Sequence, residues 1–266
     1  MLLSKARVFF ELHRQKQLLA QQLRERTETL RLNETFAAML GHDLRSPLDF
    51  ILTASHLLER IADDPEGVRR TALQMRASGM RMGRMIADML DLARGRLGGG
   101  IPIQRQPIDL GALVQRVAVE CQASQPDTPI VVDAVGALTC DGDAERLAQV
   151  LSNLVGNALQ HGLPGEPVSV RLDGTAPALV VIEVQNAGEI AADALPRLFE
   201  AFARGPGRSR EDGLGLGLYI TQQIALAHGG AVTARSEGGA TVMRVTLPRH
   251  AVPAPQPVPQ PEAGPS

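Results

Sequence analysis

The sequence predicts two architectures in succession: an all-α helical hairpin that pairs into a dimeric four-helix bundle, then an α/β two-layer sandwich. Three observations predict this order. Apolar residues recur in heptads over residues 9–61 and again over 68–93, the signature of packed helices. Gly98, Gly99 and Gly100 then end the pattern, since glycine terminates helices and loosens the chain. Beyond them, short stretches rich in Val and Ile alternate with longer helical ones, the mixture that a sheet covered by helices produces.

The chain of 266 residues has room for two modest domains. Lys and Arg number 27 against 29 Asp and Glu, so no large field draws the molecule to nucleic acid or to a membrane surface, and any site for a charged ligand is local. Trp is absent, which removes the best stacking platform of single-strand binders. Cys121 and Cys140 lack metal-ligand spacing and read as small core residues in a reducing cytoplasm. No run approaches the roughly 20 apolar residues that a span requires, and the start lacks a secretory arrangement. The expectation is a soluble cytoplasmic molecule without direct membrane insertion.

The first seam comprises Phe9, Leu12, Leu19, Leu23, Leu30, Ala37, Leu40, Leu44, Pro47, Ile51, Ala54, Leu58 and Ile61. Lys16, Arg26 and Asn33 weaken its upstream half, so residues 1–33 read as a coiled-coil linker and 34–98 as the hairpin. Asp63, Asp64, Pro65 and Gly67 form the turn. The second seam is Val68, Ala72, Met75, Gly79, Met82, Ile86, Met89 and Ala93. One hairpin buries too little by itself and two complete a bundle, which predicts a homodimer.

Residues 101–249 form the second domain. They read as a helix over 110–120, a strand over 130–133, and a long helix over 143–159 opening at the capping residue Asp143. Strands follow over 168–172, 179–185, 231–235 and 241–247, with a helix over 218–228 among them. Residues 250–266 are rich in Pro and read as a disordered tail.

Two constellations carry chemistry. Residues 41–47 read GHDLRSP. His42 lies about 200° round the helix from Leu40, on the face away from the seam. Ser46, four residues on, shares that face, and Asp43 stands beside it. Neutral imidazole is a nucleophile, and a neighbouring carboxylate can take its ring proton and hold the tautomer that frees the other nitrogen. Pro47 has no N–H for the carbonyl of Asp43, so the helix is expected to bend there.

The second constellation is a nucleotide pocket. Asn153, Asn157 and His161 recur every four residues in LSNLVGNALQHG and share one helical face. Amides offer oxygen to Mg²⁺ and nitrogen to phosphate at once. In VQNAG, at a strand end, Asn186 can meet an adenine amino group and Gly188 permits close approach of the base. The run GLGLGLY, with Gly213, Gly215 and Gly217, opens a helix whose N-terminus suits phosphates. Before it, Phe199 and Phe202 can anchor a lid carrying Arg204, Arg208 and Arg210.

In this order the motifs resemble the catalytic core of bacterial two-component sensor histidine kinases, over residues 33–248. GHDLRSPL looks like the phosphoacceptor box, LSNLVGNALQHG the asparagine box, VQNAG the first glycine box, FEAF the phenylalanine box and GLGLGLYI the second glycine box. The resemblance implies a sandwich of the GHKL ATPase type, shared with certain chaperones, gyrases and mismatch-repair ATPases. It also implies Mg-ATP as donor, His42 as acceptor, Asp43 as the acid/base residue, and an aspartate of a response regulator receiver domain as final acceptor. Ser46 falls where the family often has Thr or Asn orienting water for regulator dephosphorylation. Asn157 is the metal-ligand candidate, with Asn153 and His161 near the phosphates. Residues 3–15 look like the end of a receiver domain running into the linker.

Three departures bear on the pocket. Asn186 stands where the family usually has Asp, Glu189 runs straight into Ile190 where a second glycine is usual, and Ala240 replaces a glycine before the retained Thr241. The rival reading is a catalytically degenerate dimeric scaffold that docks regulators.

Overall fold

A computed structural model describes residues 12–20, 23, 27, 41, 43–96, 100–203 and 214–250. The readings made for residues 1–11, for Arg26, Leu30, Asn33, Ala37, Leu40 and His42, for Gly98 and Gly99, for Arg204, Arg208, Arg210 and Gly213, and for the tail beyond His250 lie outside the described residues. The chain divides into two compact units, Met1–Met85 and Ile86–Ser266.

In the first unit, helix α1 runs over Arg45–Arg60 and α2 over Pro65–Arg96, its last turns belonging to the second unit. Leu44 sits in a turn at the start of α1, and Pro47, which has no N–H to donate, stands four residues after Asp43. The predicted inner row of α1 is in place: Pro47 and Ala54 are buried and Leu44, Ile51 and Leu58 half-buried. On α2 half of the predicted seam shifts. Val68, Met75, Met82 and Met89 are covered, but Ala72, Gly79, Ile86 and Ala93 are exposed, and Thr71, Ser78, Met85 and Leu92 are buried instead. The two rows lie one residue apart at every heptad. A three-residue step and a four-residue step lie on neighbouring flanks of one broad stripe, and periodicity alone does not say which flank a given neighbour covers.

In the second unit a five-stranded sheet has the order β2-β4-β5-β7-β6. Its strands are β2 Ile130–Gly136, β4 Val168–Gly174, β5 Leu179–Ala187, β6 Ala231–Glu237 and β7 Ala240–Pro248. β2 pairs parallel to β4, and the other pairs are antiparallel. Two short strands, β1 Gln106–Asp109 and β3 Thr139–Gly142, form a separate antiparallel pair that the sequence reading did not anticipate. Helices α3 Leu110–Ser124, α4 Ala144–His161 and α5 Gly217–Ala227 complete the unit.

Alternation decides which face they cover. Val168, Val170 and Leu172 of β4, Val180, Ile182 and Val184 of β5, and Met243, Val245 and Leu247 of β7 are buried, as are Leu147, Leu151 and Leu154 of α4 and Ile220 and Ile224 of α5. The intervening strand residues, such as Arg171, Gln185 and Arg244, are exposed. One wet face and one helix-covered face make the predicted two-layer sandwich. Truncating a fully buried leucine here, Leu154 for instance, costs about 2–5 kcal/mol.

The last turns of α2 are held by charge. Asp91, almost fully buried, accepts from Arg146 Nη1 at 2.6 Å and from Gln149 Nε2 at 3.3 Å, both on α4. One turn later Gly95 leaves space in which an added Cβ would come within 3.5 Å of the Tyr219 hydroxyl.

Candidate nucleotide site and phosphoacceptor segment

Helix α4 is fixed at its start by Asp143. The carboxylate accepts from the backbone N–H groups of Glu145 and Arg146 at 3.1 Å each and from Gln104 at 2.8 Å, satisfying donors that a helix N-terminus otherwise leaves open. Burial pushes the Asp143 carboxyl up, but those three donors and nearby His228 outweigh it, and its pKa falls below the ordinary value. The N–H of Asp143 donates to His228 Nε2 at 3.0 Å, and His228 Nδ1 lies 2.8 Å from the carbonyl of Ile224. An accepting Nε2 and a donating Nδ1 define a neutral imidazole, and burial accordingly lowers the His228 pKa. The starts of α4 and the end of α5 are thereby locked together.

Leu147, Val150, Leu151, Leu154, Val155 and Ala158 take the buried side of α4, which turns Asn153, Asn157 and His161 to its other side. Asn153 and Asn157 are half-buried and His161 is exposed. Asn153 Nδ2 donates to the carbonyl of Gly217 at 3.0 Å, so the asparagine helix and the glycine run meet at the first residue of α5. A side chain at Gly217 would come within 3.5 Å of the Asn153 amide carbon. Leu214 and Leu216 are buried, and their alternation with Gly215 and Gly217 anchors the run while keeping its backbone accessible. Phe202 holds a left-handed backbone, φ 65°, with its N–H on the carbonyl of Gly215 at 3.1 Å. Such a conformation is strained for a bulky residue and tends to mark functional loops. Here it ties the phenylalanine segment to the glycine run.

The third wall is the end of β5. Asn186 is 5% exposed and lies opposite Thr241 on β7. Its Nδ2 donates to the carbonyl of Ala187 at 2.9 Å, and no hydrogen bond among the described residues ends on its Oδ1. Gly188 has φ +115°, and a Cβ there would come within 3.2 Å of the His161 carbonyl, so glycine alone lets the strand end pass the end of α4.

The departures around Asn186 have partners of their own. Glu189 Oε1 accepts from the Gly239 N–H at 2.6 Å, and the Gly188 N–H donates to the carbonyl of Gly239 at 2.8 Å. Ile190 N–H donates to Ser236 Oγ at 2.7 Å, Ser236 Oγ lies 3.1 Å from Thr241 Oγ1, and Thr241 Oγ1 donates to the carbonyl of Gly188 at 2.8 Å. Since the Thr241 proton is committed to Gly188, Ser236 is the donor between the two hydroxyls. Residues 188–190 are thus stapled to the β6–β7 hairpin. Sequence reasoning noted Glu189 only as a departure, without its tie to Gly239, and missed Ser236. A signal was present: Gly238 and Gly239 between two strands form a two-residue turn, which sets Ser236 opposite Thr241.

In the other unit Asp43 is buried and Ser46 exposed, with Gly41 and Asp43 helical. Residue 42 lies outside the described residues, as does Gly213 of the glycine run.

Comparison with known proteins finds two families on one chain. Residues 32–98 match the His Kinase A (phospho-acceptor) domain, and residues 142–251 match the histidine kinase-, DNA gyrase B-, and HSP90-like ATPase family. The chain belongs to the histidine kinases. Probable sensor histidine kinase TcrY of Mycobacterium tuberculosis is 38% identical over 217 residues, 80% of this chain and 45% of that protein. The signal transduction histidine-protein kinase/phosphatase MprB of a Mycobacterium species is 32% identical over 84% of this chain and 44% of its own length. The crystal structure of full-length ShkA in complex with AMPPNP has a TM-score of 0.58 at 28% identity, covering 82% of this chain and 46% of that one. The chain spans less than half the length of each of these three proteins. Among the described residues of this histidine kinase, no helix is long and apolar enough to cross a membrane, and no cluster of three His, Cys, Asp or Glu side chains is placed to hold a metal.

Proposed function

We propose that this chain transfers the γ-phosphoryl group of ATP to His42 and then to an aspartate on the receiver domain of a response regulator. The observation that carries the reading is the presence, in one chain, of a phosphoacceptor domain and an ATPase domain, the latter having a glycine run that meets α4 at Asn153, in its middle, and a strand end that meets it at His161, its last residue.

The residues fit an adenine nucleotide. Asn186 presents an unengaged acceptor from an otherwise buried strand end, Gly188 excludes a side chain beside it, and Gly215 and Gly217 expose backbone at a helix N-terminus. ATP supplies the phosphoryl group. Asn153, Asn157 and His161 would lie along the phosphates, and the Asn157 oxygen would hold the Mg²⁺ that neutralises phosphate charge. Thr241 completes the base pocket through its tie to Gly188. Asp43 takes the ring proton of His42 and holds the attacking tautomer. Ser46, exposed on α1, orients water when the regulator is dephosphorylated. Most of the rate enhancement then comes from positioning and charge neutralisation.

We assign residues 34–98 to dimerisation and phosphotransfer and 101–249 to ATP binding, after a coiled-coil linker, with the core working in the cytoplasm. The exposed row Ala72, Gly79 and Ile86, with Leu48 and Leu52 exposed on α1, supports a homodimeric bundle. It is the second flank of the stripe, the one a helix from another copy covers. Chasing the phosphorylated chain with a receiver domain tests the reading. Label passes to the receiver, and a receiver lacking its aspartate leaves it on the kinase. Label retained with every functional receiver tried, under conditions where a known kinase donates, refutes the relay.

A further inference from the structure

We infer that Asn186 makes the base pocket permissive for 6-oxopurine nucleotides, so that inosine triphosphate competes with ATP within about tenfold. The inference rests on the reading that Asn186 faces the base. A carboxylate at this position offers acceptors only: it suits the 6-amino group of adenine and opposes the oxygen of a 6-oxopurine. A primary amide carries an acceptor and a donor on the same carbon, and turning it by half a rotation exchanges them. In one setting Oδ1 accepts from a 6-amino group. In the other Nδ2 donates to a 6-oxo group while Oδ1 accepts from the N1–H that such a base carries.

The structure shows which setting is held and by how little. Nδ2 donates to the carbonyl of Ala187 at 2.9 Å, which leaves Oδ1 for the base and favours adenine. That is one neutral hydrogen bond. The Ala187 carbonyl also accepts from the Leu163 N–H at 3.1 Å, so it keeps a partner when the amide turns, and Oδ1, an acceptor like that carbonyl, swings off it toward the N1–H of the base. The neighbouring hydroxyls do not enforce either setting, because Thr241 Oγ1 gives its proton to the Gly188 carbonyl and Ser236 gives its own to Thr241. Choice at the 6-position therefore falls on Asn186 and on its single tie to Ala187. Losing that tie costs about tenfold in affinity, about 1.4 kcal/mol. A buried site whose polar group is left unpaired discriminates far more strongly.

Inosine triphosphate isolates the 6-position and N1, because it lacks the 2-amino group of guanosine triphosphate. The experiment displaces a fluorescent ATP analogue from the full chain with ATP and with inosine triphosphate, using the natural protein, Asn186→Asp and Asn186→Ala. The expected ratio of dissociation constants, inosine triphosphate over ATP, is about ten in the natural protein and rises at least about a hundredfold further in Asn186→Asp. A natural ratio above about a hundred, with Asn186→Ala weakening ATP, overturns the permissive pocket and leaves the site assignment standing. Unchanged binding of both nucleotides in Asn186→Ala overturns the site assignment and the inference with it. If Asn186→Asp does not fold, the natural ratio and the Asn186→Ala variant decide the question.

Discussion

Asp91 has a 3% exposed carboxylate, and its main partner, Arg146 at 2.6 Å, is 21% exposed. Asp91→Ala removes the acceptor of two donors, Arg146 and Gln149, and the weaker approach of Arg94 at 3.9 Å. Breaking a fully buried pair costs about 3–5 kcal/mol, chiefly because the surviving charge is stranded. Arg146 retains some access to water and Arg94 is half exposed, so the expected loss is smaller, about 2–3 kcal/mol. Asp91→Asn keeps a neutral acceptor and forfeits only the charge-assisted part, about 1 kcal/mol. Urea unfolding followed by circular dichroism reads both, as a lower midpoint at unchanged slope. Combining Asp91→Ala with Arg146→Met removes both charges, and the double variant is expected to be more stable than the sum of the two single losses by about 2 kcal/mol. Strict additivity, or Asp91→Ala within about 0.5 kcal/mol of the natural protein, refutes the reasoning that this pair fastens the last turns of α2 to α4.

Three further outcomes follow from the same packing. Thr221 Oγ1 on α5 is buried without a hydrogen-bond partner among the described residues, so Thr221→Val, equal in shape, raises stability by about 1 kcal/mol in the same urea assay. His228 is held neutral with its pKa below 6.5; its contribution to stability is complete above pH 6.5 and is lost as pH falls through the lowered folded value, because the unfolded chain binds the proton first. Thermal melting between pH 7 and pH 5 shows that decline, and His228→Gln flattens it. Asn153→Ala removes the donor to Gly217 and weakens ATP binding about tenfold by calorimetry, with α-helix content unchanged.

The long, strongly patterned elements were legible from residues alone. Asp143 announced the start of α4 because a capping carboxylate ahead of an apolar run has one common use, and β4, β5 and β7 showed their buried face by alternation. β1 and β3 did not, being four residues each and defined by the pairing of Gln106 with Gly142 across the chain. The shift from Ala72, Gly79 and Ile86 to Thr71, Ser78 and Met85 was equally hidden, since the two rows differ by one residue at each heptad and the buried Thr71 and Ser78 carry no hydrophobic signal. In the candidate site, Asn153, Asn157, Asn186 and the glycines stood out as polar and small residues at fixed spacing. Ser236 and Glu189 did not, because their partners are set by cross-strand register and by a turn that brings Gly239 beside residue 189.

The central claim is tested most directly by incubating the chain with Mg-ATP labelled at the γ-phosphate and following protein-bound label. The account predicts incorporation that is stable to alkali and labile to acid, as a phosphorylated imidazole is, and that disappears in His42→Ala while ATP binding is kept. Label that persists in His42→Ala, or ATP binding without any incorporation in the natural protein, contradicts it.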